Sequence, residues 1–180
     1  LCPQTAPHKA YVAFRYTPPF AADALAQMKA DGVRRAVAFT QYPQYSVTTT
    51  GSNLGELWRS LARAGLEDEF EWSVIDRWPA HPGFAAAVAE TVRRGLRAFP
   101  AGERDEALLL FSAHSLPLKV VESGDPYPQE VAASVAAVVR VLGLPNEHRL
   151  SYQSAVGPVK CLGPKTDPVQ RELGRHGPRA

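Results

Sequence analysis

Cysteine is scarce in this chain, and neither sign of charge dominates. The 180 residues include two cysteines, Cys2 and Cys161, which lie far apart in the sequence. Two thiols cannot supply a four-thiolate zinc or iron–sulfur site, and their wide spacing favours two free thiols in a reducing compartment. Twenty Lys and Arg residues against 18 Asp and Glu residues leave a formal charge of +2. This near balance argues against an obligate nucleic-acid-binding protein and against a polybasic membrane anchor.

Long apolar runs and several common motifs are also absent. The longest apolar runs, 107–111 and 131–139, fall far short of the ~20 residues that a spanning helix needs. The beginning of the chain lacks the charged and apolar regions of a secretory signal peptide. The sequence contains no Walker loop, no GxGxxG after the first expected strand, no GxSxG elbow and no HExxH. These absences exclude the most common nucleotide-binding, hydrolase and zinc-protease classes.

Short apolar or β-branched runs alternate with segments of helical periodicity. The expected strands are 10–16, 36–41, 70–75, 107–112 and 149–153, and the expected helices are 20–31, 53–64, 83–99, 128–142 and 167–175. This order is typical of parallel βαβ units, so the sequence predicts an α/β fold. The uninterrupted run 107–111 predicts a strand that is buried on both faces. The segment 99–106 is expected to be an exposed linker.

Two long polar loops follow expected strands, at 40–52 and 112–127. In open parallel sheets ligands bind at the carboxyl ends of the strands, so function is expected in these loops. The part 41–52 of the first loop contains two tyrosines and three threonines, which suit a flat aromatic or polar ligand. Asn53 and Glu56, three residues apart, also predict a capping box for the next helix, with Ser52 as an alternative cap.

Two histidines directly follow expected strands. His114 follows the run 107–111, and His81 follows the Asp-Arg-Trp-Pro string that begins at Asp76. An imidazole titrates near neutral pH and can transfer protons or bind iron or zinc, although each histidine could equally be structural. Ser112 and Ser115 could imitate a nucleophile–base pair with His114, but no acid partner or oxyanion loop is evident. The segment 152–164 is either an apolar lip around a site or a packed loop.

A set of strings in these loops resembles the ferrochelatase family. In chain order they are FRYTPPF, AFTQYPQYS followed by TTTGS, DRWP, FSAHSLP, GDPYPQE, YQS followed by VGP, and LGP followed by TD. The similarity runs from about residue 6 to about residue 173 and is strongest to the animal mitochondrial form. Ferrochelatases insert ferrous iron into protoporphyrin IX to form protohaem, the last step of haem biosynthesis.

The resemblance implies a fold of two similar Rossmann-like domains, each with a parallel sheet flanked by helices. Residues 1–65 would be the latter part of the first domain, and residues 66–180 would be the opening part of the second. Both domains would be incomplete, because the family's N-terminal segment and its C-terminal part have no counterpart here. The missing C-terminal part carries the acidic residues that face the catalytic histidine.

The resemblance also implies a set of site residues. His114 matches the family's central catalytic histidine, which accepts pyrrole protons or handles ferrous iron transiently. His81 matches a second histidine of the active site. The positions that match the porphyrin pocket are Arg15, Tyr16, Tyr42, Trp78, Tyr127, Gln153 and Ser154.

The chain departs from the family pattern at three positions. Val47 stands where animal members have one cysteine ligand of a two-iron two-sulfur cluster, and the other three ligands belong to the part that has no counterpart here. Cys161 stands where a tryptophan is expected, and Ala155 stands where a lysine is expected. We therefore expect no cofactor to be held by this chain alone.

The resemblance implies the remaining properties as well. The substrates would be protoporphyrin IX and ferrous iron. The full-length protein would be a homodimer, peripherally bound to the mitochondrial inner membrane on its matrix side, and no nucleic acid would be involved. The alternative is a truncated, non-catalytic remnant that binds porphyrin or a full-length partner.

Overall fold

The computed structural model describes residue 4, residues 7–155 and residues 158–176. The described chain divides into two compact units, 1–77 and 78–180. Each unit contains a two-stranded parallel sheet with helices packed against it. The α/β class expected from the sequence is therefore confirmed.

The first unit consists of two helices and two strands. Their order is α1 (Ala21–Ala30), β1 (Arg35–Phe39), α2 (Ser52–Ala64) and β2 (Glu71–Ile75). Strands β1 and β2 pair in parallel, with Arg35 opposite Glu71 and Phe39 opposite Ile75. This pairing places β2 in the first unit, so the unit continues past the expected domain boundary at residue 65.

The core of the first unit lies between its helices and one face of its sheet. Leu25 and Met28 of α1 pack with Leu61 of α2 and with Leu66 and Phe70. Ala36 and Trp72, which are paired across the strands, close this core from the sheet side. On the opposite face of the sheet, Val37, Phe39 and Ile75 are exposed.

The expected strand 10–16 is not formed. In this segment only Phe14 makes a β-type contact, an isolated bridge to Phe20, and its N–H donates to the Pro19 carbonyl. Strand geometry needs a neighbouring strand to satisfy the backbone groups. Here Pro18 and Pro19 turn the chain back immediately, so residues 14–20 form a tight loop in place of a strand.

The expected capping box at Asn53 and Glu56 is also wrong. A π-helical turn, Val47–Gly51, runs directly into α2, and Ser46 caps this turn by accepting a hydrogen bond from the Thr48 N–H at 3.1 Å. Asn53 donates to the Thr49 carbonyl at 3.0 Å. The Glu56 carboxylate forms ion pairs with Arg59 and Arg63 instead of capping the backbone at the start of the helix. The helical turn begins earlier because Ser46 supplies the cap six residues before α2.

The second unit contains four helices and two strands. Their order is α3 (Pro82–Leu96), β3 (Leu109–His114), α4 (Leu118–Glu122), α5 (Tyr127–Leu142), β4 (His148–Gln153) and α6 (Thr166–His176). A 3₁₀ helix spans Ala101–Glu106, within the expected linker. Strands β3 and β4 pair in parallel along their whole length, from Leu109 opposite His148 to His114 opposite Gln153.

Small side chains let α3 and α5 approach closely. Ala85 and Ala89 of α3 pack against Ala137 and Val138 of α5, and Ala89 is fully buried. Leu109 and Phe111 of β3 pack against this helix pair. Strand β3 is only half-buried, contrary to the expectation of burial on both faces, because its sheet has two strands.

A hydroxyl network joins the two strands to the start of α6. The Thr166 hydroxyl lies 2.8 Å from the Ser112 hydroxyl and 2.9 Å from that of Ser151. Ser151 is completely buried and donates to the Phe111 carbonyl. These bonds hold the ends of β3 and β4 in register near His114 and Gln153. Among the described residues, no helix is both long enough and apolar enough to cross a lipid bilayer.

Candidate functional site

Six of the candidate residues lie at one end of the second unit. His114 and Gln153 are the last residues of the parallel strands β3 and β4 and lie opposite each other. Helix α5 connects the parallel strands β3 and β4, so it begins at this same edge of the sheet, and α3, which leads into β3, packs alongside α5. His81 precedes the first turn of α3, and Tyr127 is the first residue of α5.

A direct hydrogen bond confirms that the two helix starts are adjacent. The Ser134 hydroxyl on α5 donates to the Pro79 carbonyl at 2.8 Å. Pro79 lies between Trp78 and His81, so this bond ties the loop before α3 to the second turn of α5. Ser134 is buried, which makes the bond a fixed part of the unit and keeps the loop 78–81 near Tyr127.

Tyr127 is the best-defined member of the edge. Burial of its hydroxyl raises its pKa, the neighbouring Tyr152 adds to this rise, and a hydrogen bond with the His114 backbone partly offsets it. Tyr152 is itself buried, and burial raises its pKa too. Both phenols are therefore neutral at physiological pH. The link from Tyr127 to the His114 backbone places an aromatic ring directly beside the candidate base.

His81 has a structural task in addition to any chemical one. It caps α3, and its Nδ1 accepts a hydrogen bond from the Gly83 N–H at 3.1 Å. This bond requires an unprotonated Nδ1, so a proton could be exchanged only at Nε2. The ring of the nearby Trp78 packs edge-on against Phe84, with 5.3 Å between the ring centroids.

His114 is exposed in the described chain, as is His81. The half-buried strand β3 ends at the open edge of a two-stranded sheet, which leaves the His114 side chain uncovered.

The loop after His114 is anchored to the segment 160–162. Ser115 is buried and donates two hydrogen bonds to other segments of the chain. Its N–H donates to the Gln153 carbonyl, and its hydroxyl donates to the Leu162 carbonyl. Pro117 forms a bridge to Cys161. The Ser115 hydroxyl bonds the Leu162 carbonyl and the Ser112 hydroxyl bonds the Thr166 hydroxyl. These structural bonds give no support to a hydrolase. Within the segment 152–164, residues 156 and 157 lie outside the described residues.

Gln153 and Ser154 end β4 with exposed side chains. Ser154 has a positive φ of 62°, a conformation that few non-glycine residues adopt and that often marks a functional turn. It turns the chain sharply away from the edge, directly after the residue that pairs with His114.

The remaining three candidates, Arg15, Tyr16 and Tyr42, belong to the first unit. Tyr42 follows β1 and is about half exposed. Its loop is ordered by the Thr40 and Thr50 hydroxyls, which lie 3.1 Å apart, and by the Arg77 guanidinium, which lies 4.4 Å from the centre of the Tyr45 ring. These bonds fix the loop that the sequence identified, and they use side chains that the sequence analysis did not single out.

Arg15 and Tyr16 lie in the loop before α1. The Arg15 guanidinium lies 5.0 Å from the centre of the exposed Tyr16 ring, and one of its nitrogens lies 3.7 Å from a Glu56 oxygen. Hydrogen bonds from Arg63 and then Arg59 lower the pKa of Glu56 to about 2, with a smaller contribution from the charge of Arg15. Sequence reasoning missed this cluster, although the spacing of Glu56, Arg59 and Arg63 along one helical face was visible.

The residues present do not fit an iron–sulfur cluster. Val47 begins the π-helical turn and is exposed, and Cys161 lies in the other unit. Within the described residues, no three His, Cys, Asp or Glu side chains converge as a metal site. Cys2 lies outside the described residues.

Together, the fold and the site define an α/β protein whose candidate ligand residues gather at the carboxyl edge of a parallel sheet. Comparison with known proteins gives the family. The family model described as Ferrochelatase matches residues 1–180. The chain therefore belongs to the ferrochelatase family.

Similar proteins come from distant organisms. The mitochondrial ferrochelatase of Xenopus laevis is 51% identical over 177 residues, and that of Bos taurus is 50% identical over 177 residues. That of Schizosaccharomyces pombe is 47% identical over 176 residues. Each match covers 98% of this chain but 42–43% of the relative, so the chain spans less than half the length of these relatives.

Proposed function

We propose that this chain forms the central part of a ferrochelatase, a lyase that inserts ferrous iron into protoporphyrin IX. The observation that carries the proposal is the convergence of His114, Gln153, Tyr127 and the Trp78–His81 loop at one sheet edge, in a chain of this family. These residues come from four separate elements, and nothing in the core of the unit requires their polar side chains to gather there.

The reaction explains the types of residue at this edge. Iron enters as a divalent ion and two pyrrole protons leave, so the net charge of the porphyrin is unchanged and two protons must be accepted. We assign the first to His114, whose imidazole can act as a base, and we assign the transient contact with ferrous iron to the same side chain. His81 would accept or relay a proton through Nε2, because Nδ1 is used as the helix cap.

The aromatic residues suit a flat apolar ring. Trp78 and Tyr127 would contact the porphyrin face. Gln153 and Ser154 would hydrogen-bond to its edge. Contacts that hold the ring bent would expose its nitrogen lone pairs to the metal, at a cost offset by binding elsewhere.

The wider setting is also proposed from the family. The first and second units would be the latter part of the first Rossmann-like domain and the opening part of the second. The mitochondrial location would follow that of the named relatives, on the matrix side of the inner membrane. The complete protein would be a homodimer at the membrane surface.

The proposal is tested in a chimera in which residues 1–180 replace the matching segment of the Xenopus laevis relative. We expect the chimera to convert ferrous iron and protoporphyrin IX to haem, as measured by the absorbance of the product. A folded chimera that binds porphyrin but forms no haem would support the alternative, a non-catalytic remnant. A folded chimera that binds no porphyrin would contradict the proposal and would favour a remnant that binds a full-length partner.

A further inference from the structure

A cavity of about 270 Å³ lies in the first unit, between the loop before α1 and the exposed side of α2. One wall is polar and is formed by Arg15, Glu56, Ser60 and Arg63. The other wall is apolar and is formed by Phe14, Phe20 and the first turn of α1. The cavity is thus amphipathic: charged groups on α2 and the preceding loop face aromatic rings across a space large enough for a small organic molecule.

The charges around the cavity are unequal. Glu56 is the one carboxylate in the wall, and three arginines surround it: Arg15 at 3.7 Å, Arg59 at 3.1 Å and Arg63. With its pKa lowered to about 2, Glu56 is ionised at physiological pH. One negative charge therefore faces three positive charges, and the cluster retains a positive charge that a bound anion would reduce.

Arg15 also has an unused donor. Its Nε is buried and has no hydrogen-bond partner among the described residues. A buried donor without a partner is rare in folded proteins and destabilising, and hydrogen bonds to a charged group are the strongest that it could make.

We propose that this cavity binds a monocarboxylate attached to a small apolar body. A carboxylate can accept bonds from Arg15 and Arg63 together, while its apolar part contacts Phe14 and Phe20. A dianion such as phosphate is less suitable, because Glu56 already offsets part of the positive charge of the arginines and the side chains of the opposite wall are apolar. The acid is either a free small molecule or the carboxylate arm of a larger substrate. The proposal does not depend on iron insertion.

The test is titration of the Xenopus chimera with butyrate, followed by isothermal calorimetry and by the ¹⁵N resonance of the Arg15 Nε. We expect a dissociation constant on the order of 1 mM, as is usual for so small a ligand, and a shift of the Nε resonance. Butyramide, the neutral isostere, and inorganic phosphate should each bind at least about tenfold more weakly.

Two variants locate the site by different means. Arg63→Gln removes a donor and should weaken butyrate binding by about 10- to 100-fold. Ser60→Leu leaves every charge in place but fills the cavity, and should abolish binding. Arg34→Gln is the control, since it removes the same charge from an exposed ion pair with Glu69 in the same unit and should leave binding unchanged.

Competition between butyrate and protoporphyrin distinguishes the two possible sources of the carboxylate. If protoporphyrin displaces butyrate but protoporphyrin dimethyl ester does not, the natural ligand is the carboxylate arm of the substrate. Unchanged binding in the presence of protoporphyrin would identify a free acid. Failure of butyrate to bind the folded chimera, or equal binding by the Ser60→Leu variant, would overturn the proposal, whether or not the chimera makes haem.

Discussion

At the scale of single residues, the Glu56 carboxylate shows how neighbouring arginines change the pKa of a side chain. Hydrogen bonds from Arg63 and Arg59 lower that pKa from 4.5 to about 2. The carboxylate is thus easier to ionise in the folded protein than in the unfolded chain. Its stabilising effect is complete above pH 4.5 and is lost as the pH falls from there through about 2.

This linkage predicts a pH-dependent difference between the chimera and its Glu56→Gln variant. The variant should be less stable at pH 6, and the difference should shrink as the pH is lowered through 4 toward 2. Urea unfolding followed by circular dichroism measures both. Glu71→Gln, which removes a carboxylate that is 75% exposed from its pair with Arg35, should show a much smaller effect. A constant difference for Glu56→Gln at all pH values would contradict the assignment.

Asn146 is a second residue whose side-chain hydrogen bonds hold neighbouring segments together. It is buried, and its Nδ2 donates to the carbonyls of Arg104 and Ala107, each at 2.7 Å. These bonds connect the loop after α5 to the segment that leads into β3. The residue therefore holds the entrance to the strand that carries His114 at its other end.

We expect Asn146→Ala to lower the free energy of unfolding by about 1–3 kcal/mol, because it leaves two carbonyls without their donor. Chemical denaturation of the chimera measures this loss. Glu147→Ala, a change at the adjacent exposed residue, should alter stability by less than about 0.5 kcal/mol. Equal stability of the Asn146→Ala variant and the parent would show that water replaces the side chain without cost.

At the scale of elements, the pairing of α3 with α5 depends on small residues. Ala85 and Ala89 face Ala137 and Val138 at the interface, and the Arg93 guanidinium donates to the Val141 carbonyl at 2.8 Å near the other end. This pairing positions the starts of both helices, and therefore His81 and Tyr127, at the candidate site.

Enlarging the interface should separate the helices. Ala89→Leu should destabilise the chimera by about 1–3 kcal/mol and should also weaken porphyrin binding, because the starts of both helices would shift. Ala86→Leu, on the exposed side of the same helix, is the matched control and should change neither property. Tight porphyrin binding by a destabilised Ala89→Leu variant would show that the helix pairing does not position the site.

The elements also show what the sequence could predict. Strands β1, β2, β3 and β4 and the long helices were all predicted within a few residues, because apolar periodicity reflects packing against a core. The strand expected at 10–16 was wrong because pairing depends on a partner that periodicity does not show. The cap at Ser46 was missed because a π-helical turn precedes α2, and the Arg15–Glu56 cluster was missed because it joins residues far apart in sequence.

At the scale of the whole chain, each sheet has two strands among the described residues, and the edge pairing found there is one isolated bridge, between Tyr152 and Lys165. Val37, Phe39 and Ile75 are exposed on one face of the first sheet. Unpaired edges and exposed apolar faces favour association with other chains and reduce the area buried on folding. The chain spans less than half the length of the Xenopus laevis and Bos taurus relatives, so these surfaces matter most when it is studied alone.

We therefore expect the isolated 180-residue chain to be poorly stable. It should melt over a broad range well below the transition of the chimera, and it should bind a hydrophobic dye in its native buffer. Calorimetry and dye fluorescence measure these properties. A monomeric chain with a sharp transition at high temperature would show that two small sheets suffice for a stable fold.

The central claim is that His114 accepts a pyrrole proton when iron enters the porphyrin, and steady-state iron insertion by the His114→Ala chimera tests it most directly. A positioned base contributes about 10²–10⁴ in rate, so we expect His114→Ala to reduce the turnover to background while porphyrin binding and folding are retained. His81→Ala should reduce the turnover less, because Nδ1 of His81 is used as the cap of α3 and only Nε2 could transfer a proton. If the folded, porphyrin-binding His114→Ala chimera kept most of its activity, the role assigned to His114 would be wrong.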